Sequence, residues 1–119
     1  MRILPTLVLS LALGTTAHAA ALLGSGPMGM VNGTTDSCLV ANINPKDLAE
    51  VTVSIMKSGS SFPEVSTTCA PLAPNTHCGF QSNAVGGGVR FCTVTVKGSP
   101  KAIRGEFCDV TAGRCTSIR

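Results

Sequence analysis

Six cysteines, the first of them Cys38, constrain the fold of this chain more than any other feature of its sequence. Whether these cysteines form disulfides depends on the compartment in which the chain folds, and the N-terminal residues indicate that compartment. Met1 and Arg2 are followed by an apolar run over residues 3–13 and by Ala17-His18-Ala19, the small-x-small pattern that precedes signal peptidase cleavage. We therefore predict a signal peptide over residues 1–19. Because a secreted chain folds in an oxidising compartment, the cysteines are expected to form disulfides.

The apolar run is shorter than the roughly 20 residues that span a bilayer, so it is not a transmembrane segment. No second run of this kind follows, and stable membrane insertion is not expected. Cys38 stands far beyond the cleavage point, whereas a lipid-anchored lipoprotein needs a cysteine directly after it. The sequence predicts a protein that is secreted or resides in the periplasm.

Residues 20–119 have the length of one domain but offer it few large core side chains, with four Phe and neither Trp nor Tyr. Disulfides are the expected source of additional stability. Residues 20–35 are rich in glycine and small side chains without a clean period. They are predicted to form a flexible N-terminal arm or a loosely held edge segment. A single folded domain is predicted over residues 36–119.

Short apolar stretches separated by turn residues predict an all-β domain. The only helical feature predicted is one turn over residues 45–50. Seven short strands in a chain of this length indicate a small antiparallel β-sandwich, with a small barrel as the alternative. The predicted strands cover residues 38–43, 51–56, 64–69, 78–85, 89–97, 102–110 and 115–118.

Side-chain alternation assigns two cysteines to the interior. Cys92 shares a strand face with Val94, and Cys38 shares one with Val40. A buried cysteine in each of two strands indicates an inter-strand or inter-sheet disulfide, so we predict a Cys38–Cys92 bond. A reactive thiol would instead need a nearby base, and His77, the single histidine after the cleavage site, adjoins a different cysteine.

The remaining four cysteines pair most economically with their near neighbours, Cys69 with Cys78 and Cys108 with Cys115, although six cysteines leave many connectivities open. In the last hairpin, a two-residue turn sets Cys108 opposite Cys115. A three-residue turn with a bulge moves the register by one and places them on opposite faces. Since a disulfide stabilises more than a turn preference does, we predict the first register, with Asp109 opposite Arg114 in a widened or strained turn.

The sequence shows no constellation that indicates catalysis, metal binding or nucleic-acid binding. There is no C-x-x-C pair, and His77 beside Cys78 cannot complete a four-ligand site, so no metal and no cofactor are predicted. No serine has a nucleophile elbow or a His–Asp partner set, and no acidic pair is placed for acid–base work. A formal net charge of +3 is too weak and scattered to indicate a nucleic-acid partner.

Five segments in a fixed order carry a resemblance to known proteins: SCLVANINP, VTVSI, LAPN, VRFCTVTV and RGEFC. With these segments the chain resembles a loose group of uncharacterised secreted bacterial β-sandwich proteins, over residues 38–119. Members of that group often have Tyr where Phe91 stands, and Cys69 and Cys78 look like an addition. The resemblance implies a β-sandwich fold and an extracytoplasmic location, and it brings no functional residue.

Two functions agree with these features. The first is a non-enzymatic module that binds an unknown protein or cell-envelope partner or has a structural role. The second is a protease inhibitor that presents the Cys69–Cys78 loop, which a disulfide would close and Pro71 and Pro74 would stiffen. A third class, an enzyme with a cryptic site, is disfavoured because no catalytic set is present.

Overall fold

The computed structural model describes residues 20–119, and the predicted signal peptide over residues 1–19 lies outside the described residues. The described part is all-β, with one 3₁₀ turn at Pro100–Ala102. Nine strands are present in it: β1 (Ala21–Gly24), β2 (Met28–Met30), β3 (Thr35–Asn42), β4 (Ala49–Lys57), β5 (Pro63–Leu72), β6 (His77–Asn83), β7 (Gly88–Lys97), β8 (Ile103–Asp109) and β9 (Arg114–Ile118).

The strands form two antiparallel sheets around one core. Sheet A has the order β1-β7-β4-β5, with β2 also paired to β7, and sheet B has the order β6-β3-β8-β9. Backbone hydrogen bonds between Gly24 and Arg119, at 2.9 and 3.0 Å, connect the edge strand β1 to the end of β9. This arrangement confirms the predicted antiparallel β-sandwich, with nine strands instead of seven.

The two additional strands lie in residues 20–35, the segment predicted to be a flexible arm or a loosely held edge. β1 pairs with residues 93–96 of β7, and β2 pairs with residues 88–90. Leu23 and Met30 pack against the core from these strands. The segment is therefore an edge of sheet A. Its composition gave little sign of strands because the pairing partner, β7, is far away in the sequence.

The predicted helical turn over residues 45–50 is wrong, because this connection consists of bends and β4 already begins at Ala49. The Asn44 side-chain oxygen accepts hydrogen bonds from the backbone nitrogens of Lys46 and Asp47, both at 3.0 Å. Asparagine side chains that bond nearby backbone in this way compete with helix formation.

Burial alternates along β7 as the strand period requires. Arg90, Cys92, Val94 and Val96 are buried, whereas the residues between them are half-buried or exposed. Strands from both sheets contribute aliphatic and aromatic side chains to the same core. The largest fully buried apolar side chains are Phe107, Ile55, Ile103, Val40, Val51, Val53, Val94 and Val96.

Two disulfides connect the sheets to each other. Cys38 of β3 is bonded to Cys92 of β7, with a Cα–Cα distance of 6.2 Å, and neither residue is exposed to solvent. Cys69 of β5 is bonded to Cys78 of β6, with a Cα–Cα distance of 6.3 Å. These are two of the three pairs predicted from the sequence. They attach the sheets to each other at the centre of the core and at one side of it.

The third disulfide joins Cys108 to Cys115 within sheet B. The two cysteines face each other across β8 and β9, and the next pair is Asp109 with Arg114, whose side chains form an ion pair at 3.2 Å. This is the predicted register, and the turn is widened to residues 110–113, in agreement with the prediction. Gly113 has a positive φ of 69°, and the Asp109 carboxylate accepts a hydrogen bond from the Ala112 backbone nitrogen at 2.9 Å.

Gly105 allows β8 to lie close to β3, and we expect its replacement to be costly. A Cβ atom at this position would lie 2.6 Å from the Leu39 carbonyl oxygen and 2.6 Å from Val40 Cγ1. Because backbone cannot move aside as a flexible side chain can, Gly105→Ala should lower the free energy of unfolding by about 3 kcal/mol. Urea denaturation measures this change.

Gly29→Ala is the matched control for this prediction. Gly29 is also a strand residue, but a Cβ atom there would have no heavy atom within 4 Å. Its replacement should change the free energy of unfolding by less than about 1 kcal/mol. Equal effects of the two substitutions would contradict the close approach of β8 and β3.

Candidate functional site

A groove of about 900 Å³ lies on the outer side of sheet B. It extends over β3, β8 and β9 and reaches the 3₁₀ turn at Pro100–Ala102. Its volume is within the range of small-molecule binding sites, about 300–1,000 Å³. We call it the β3–β8–β9 groove, and its walls include Leu39, Ala41, Lys101, Arg104, Glu106 and Ser117.

Leu39 provides an apolar surface in the groove, and the residue opposite it on β6 is a glycine. Leu39 is 47% exposed, and its cross-strand partners are Gly79 on β6 and Glu106 on β8. A Cβ atom at Gly79 would collide with the Cys38 carbonyl oxygen and lie 2.8 Å from the Leu39 Cα atom. The close approach of β6 and β3 therefore requires glycine there, and this leaves open space beside Leu39.

Positive charge is concentrated around the groove. Lys101, Arg104 and Arg119 line it, together with one acidic side chain, that of Glu106. The ion pairs found among residues 20–119 are Arg90–Glu64, Lys97–Glu50 and Arg114–Asp109. The described residues include five lysines and arginines outside these pairs, and three of the five line the groove. An anionic group would therefore be attracted to this surface.

The Arg104 guanidinium is held at the end of the groove next to the 3₁₀ turn. Its Nη1 atom donates to the backbone oxygens of Lys101 and Ile103, the second at 3.2 Å. Within the described chain, its Nε and Nη2 atoms have no hydrogen-bond acceptor. These two donors form the edge of the guanidinium that binds a carboxylate in bidentate fashion.

The last hairpin and the edge strand β1 set the position of Arg119. The ladder of β8 and β9 ends with Gly105 opposite Ile118, and Arg119 follows Ile118 directly. The Arg119 backbone exchanges two hydrogen bonds with Gly24 of β1, at 2.9 and 3.0 Å. Arg104 and Arg119 thus both come at the end of this ladder, and both line the groove.

A second cluster near the groove consists of Glu106, Cys108 and Cys115, whose possible ligand atoms lie within 4.8 Å of one another. The two sulfurs are bonded to each other and are not thiolates. Since zinc and similar ions bind cysteine as the thiolate, the oxidised cluster offers a metal ion a single carboxylate.

The Cys69–Cys78 segment, considered from the sequence as an inhibitory loop, is mostly strand. Only residues 73–76 connect β5 to β6, and Leu72 before them is buried. The connection is held against Asn42, whose side-chain nitrogen donates to the Leu72 oxygen at 3.0 Å and whose backbone bonds Asn75 and Thr76 at 2.8 and 3.0 Å. The segment is thus a tight turn attached to β3.

A buried arginine lies at the other end of the sandwich. Arg90 is 0% exposed, and its guanidinium donates to the carboxylate of Glu64, with the shortest distance 2.9 Å. It also donates to the backbone oxygens of Val85, at 2.8 Å, and Gly87. Gly87 lies in the connection directly before β7, and a Cβ atom on Gly88, the first residue of β7, would lie 3.9 Å from Arg90 Nη1.

The residues of the groove were not singled out from the sequence. One signal was present, because the predicted Cys108–Cys115 register already brings residues 104 and 119 to the same end of the hairpin. The contribution of Lys101 and the open space next to Leu39 depend on the packing of β3, β6 and β8, which the sequence pattern does not reveal.

Comparison of the chain with protein families, with characterised proteins and with solved structures finds no match. Residues 20–119 contain no helix with the length and hydropathy needed to cross a membrane. The inference of function therefore depends on the geometry of the groove and on the disulfide-bonded scaffold around it.

Proposed function

We propose that this protein is a secreted or periplasmic, non-enzymatic binding module that holds its ligand in the β3–β8–β9 groove. The observation that carries the proposal is the groove itself, which combines exposed apolar surface with unpaired cations and has the volume of a small-molecule site. The alternative of a purely structural module leaves these cations without a role.

The state of the cysteines supports an extracytoplasmic location. All six form disulfides, and no free cysteine remains. Disulfides of this kind persist in oxidising compartments such as the periplasm or the extracellular space. The signal peptide predicted over residues 1–19 and the resemblance to secreted bacterial β-sandwich proteins agree with this location.

The chemistry of the groove supports binding without catalysis. Its polar side chains are three cations, the Glu106 carboxylate and the hydroxyls of Ser37 and Ser117. His77, the one histidine of the described chain, is not among the residues that line it. Acyl transfer or hydrolysis needs a nucleophile within hydrogen-bond reach of a base. The groove has donors for holding an anion, but it does not have that pair.

The protease-inhibitor hypothesis receives no comparable support. An inhibitory loop must present an exposed, preorganised segment to the protease, whereas residues 73–76 form a short turn held against Asn42. A panel of proteases assayed with and without the protein tests this hypothesis directly. Inhibition that is lost on substituting Asn75 would support it over groove binding.

The groove proposal predicts saturable binding of a small amphiphile. We would titrate ¹⁵N-labelled mature protein with three probes, decanoate, decanol and decyltrimethylammonium, each below its micelle concentration. At least one probe should shift the amide resonances of groove residues such as Leu39, Arg104 and Ser117 in a saturable manner. Shifts scattered over both sheets, or no shift with any probe, would contradict the proposal.

Leu39→Ser should weaken binding of that probe about fivefold, because covering the exposed half of a leucine contributes about 1 kcal/mol. The matched control is Leu22→Ser. Leu22 is 70% exposed but lies on β1, and it does not line the groove. Its substitution should change the affinity less than about twofold, and equal losses in the two variants would place the binding surface elsewhere.

A further inference from the structure

We infer that the groove binds a molecule with an apolar chain and a single terminal carboxylate, and that Arg104 holds the carboxylate. This inference rests on the proposed function and names its ligand class. Three observations carry it: the free edge of the Arg104 guanidinium, the unpaired cations next to it, and the apolar residues that follow along β3.

The Arg104 guanidinium is oriented before any ligand arrives. Its Nη1 atom is bonded to backbone oxygens of the 3₁₀ turn region, while Nε and Nη2 have no acceptor among residues 20–119. Two parallel N–H groups match the two coplanar oxygens of a carboxylate. Because the side chain is already fixed, less conformational entropy is lost on binding than with a free arginine.

The neighbouring cations give the carboxylate its electrostatic preference. Arg119 comes with Arg104 at the end of the β8–β9 ladder, and Lys101 also lines the groove. An anion bound among these cations gains favourable Coulomb energy. Binding of a carboxylate should therefore also raise the stability of the protein.

The apolar chain of the ligand would follow β3 from this cationic end. Ala41 is the cross-strand partner of Arg104, and Leu39 comes next on the same face of β3, opposite Glu106. A ligand anchored at Arg104 thus covers Ala41 and Leu39 in turn. Glu106 would repel a second anionic group of the ligand next to Leu39. A ligand with one carboxylate therefore fits better than a ligand with a carboxylate at each end.

The test compares decanoate with four other compounds on the folded, disulfide-bonded protein: decanol, decyltrimethylammonium, decyl phosphate and acetate. The chain has no Trp and no Tyr, so amide shifts are a better readout than intrinsic fluorescence. Decanoate should bind at least about tenfold more tightly than decanol or decyltrimethylammonium, as expected for charge-assisted hydrogen bonds. Decyl phosphate should bind no more tightly than decanoate, and acetate should bind weakly because it has no chain.

Arg104→Gln should weaken decanoate binding about tenfold while leaving the weak affinity for decanol unchanged. Lys46→Gln is the control, since it removes the same charge from an exposed position outside the groove. It should change the affinity less than about twofold, because an exposed charge that does not line the groove is screened by salt.

Failure of the inference is distinguishable from failure of the proposed function. If decanol or decyltrimethylammonium binds the groove as tightly as decanoate, or if Arg104→Gln binds decanoate as the wild type does, the carboxylate assignment is overturned and groove binding remains. If decyl phosphate binds more tightly than decanoate, the carboxylate assignment is overturned and a phosphate becomes the inferred anionic group of the ligand. If no probe shifts the groove amides, the proposed function itself is overturned.

Discussion

Replacing Cys38 and Cys92 together by alanine should lower the free energy of unfolding by about 4 kcal/mol, because the bond closes a long loop in the unfolded chain. The two cysteines are 54 residues apart in the sequence. Loop-closure entropy grows with the length of the loop, so this disulfide restricts the unfolded chain more than the other two do. Urea denaturation of the oxidised double variant measures the loss.

The matched comparison is the double variant Cys108→Ala, Cys115→Ala. These two cysteines are 7 residues apart in the sequence, and the same entropy argument predicts that the free energy of unfolding falls by about 2.5 kcal/mol. Cys38 and Cys92 are also completely buried, so their truncation removes packing that the exposed Cys115 does not provide. A larger loss in the Cys108–Cys115 variant would contradict the assignment of Cys38–Cys92 as the main cross-link.

Glu64→Gln should lower the free energy of unfolding by about 2 kcal/mol, because it leaves the buried Arg90 guanidinium without a counter-charge. Arg90 is 0% exposed and Glu64 is 29% exposed at the side chain, which places the cost below that of a fully buried pair. Because burial limits the screening of this ion pair by salt, most of the loss should persist at a salt concentration of about 0.5 M, well above the physiological ionic strength of about 0.15 M. Thermal and urea unfolding in low and high salt measure it.

The control for this prediction is Glu50→Gln, which breaks an exposed ion pair by the same substitution. The Lys97–Glu50 distance is 3.9 Å, and both side chains are more than half exposed. The change should be less than about 0.5 kcal/mol, as is usual for surface pairs. Similar effects at the two positions would mean that the hydrogen bonds to the Val85 and Gly87 carbonyls stabilise the buried Arg90 guanidinium without Glu64.

The parts of the fold that the sequence predicted depend on local patterns. The strict alternation from Arg90 to Val96 identified the buried face of β7. The Cys108–Cys115 pair specified the hairpin register, since a shift by one residue separates the two sulfurs. Arg90 lies on the same face of β7 as Cys92, but the sequence did not show that Glu64 would pair with it.

The parts that the sequence did not predict depend on distant pairing or on competition between side chain and backbone. β1 and β2 are strands because β7 offers them an edge, and their own residues have no clear period. The predicted helical turn failed because the Asn44 side chain captured the backbone nitrogens of Lys46 and Asp47. The candidate site was missed for a similar reason, since the groove depends on the packing of several strands.

The positions of the disulfides determine how the domain would respond to mechanical tension. Under a pull on Ala20 and Arg119, the force passes from Cys38 directly to Cys92 and from Cys108 directly to Cys115. The chain inside these loops bears no load, so only the stretches outside them can straighten. β1 and β2 would peel from β7 at the start of extension, while β4, β5 and β6 stay within the closed loop. Such a domain has a short maximum extension under tension.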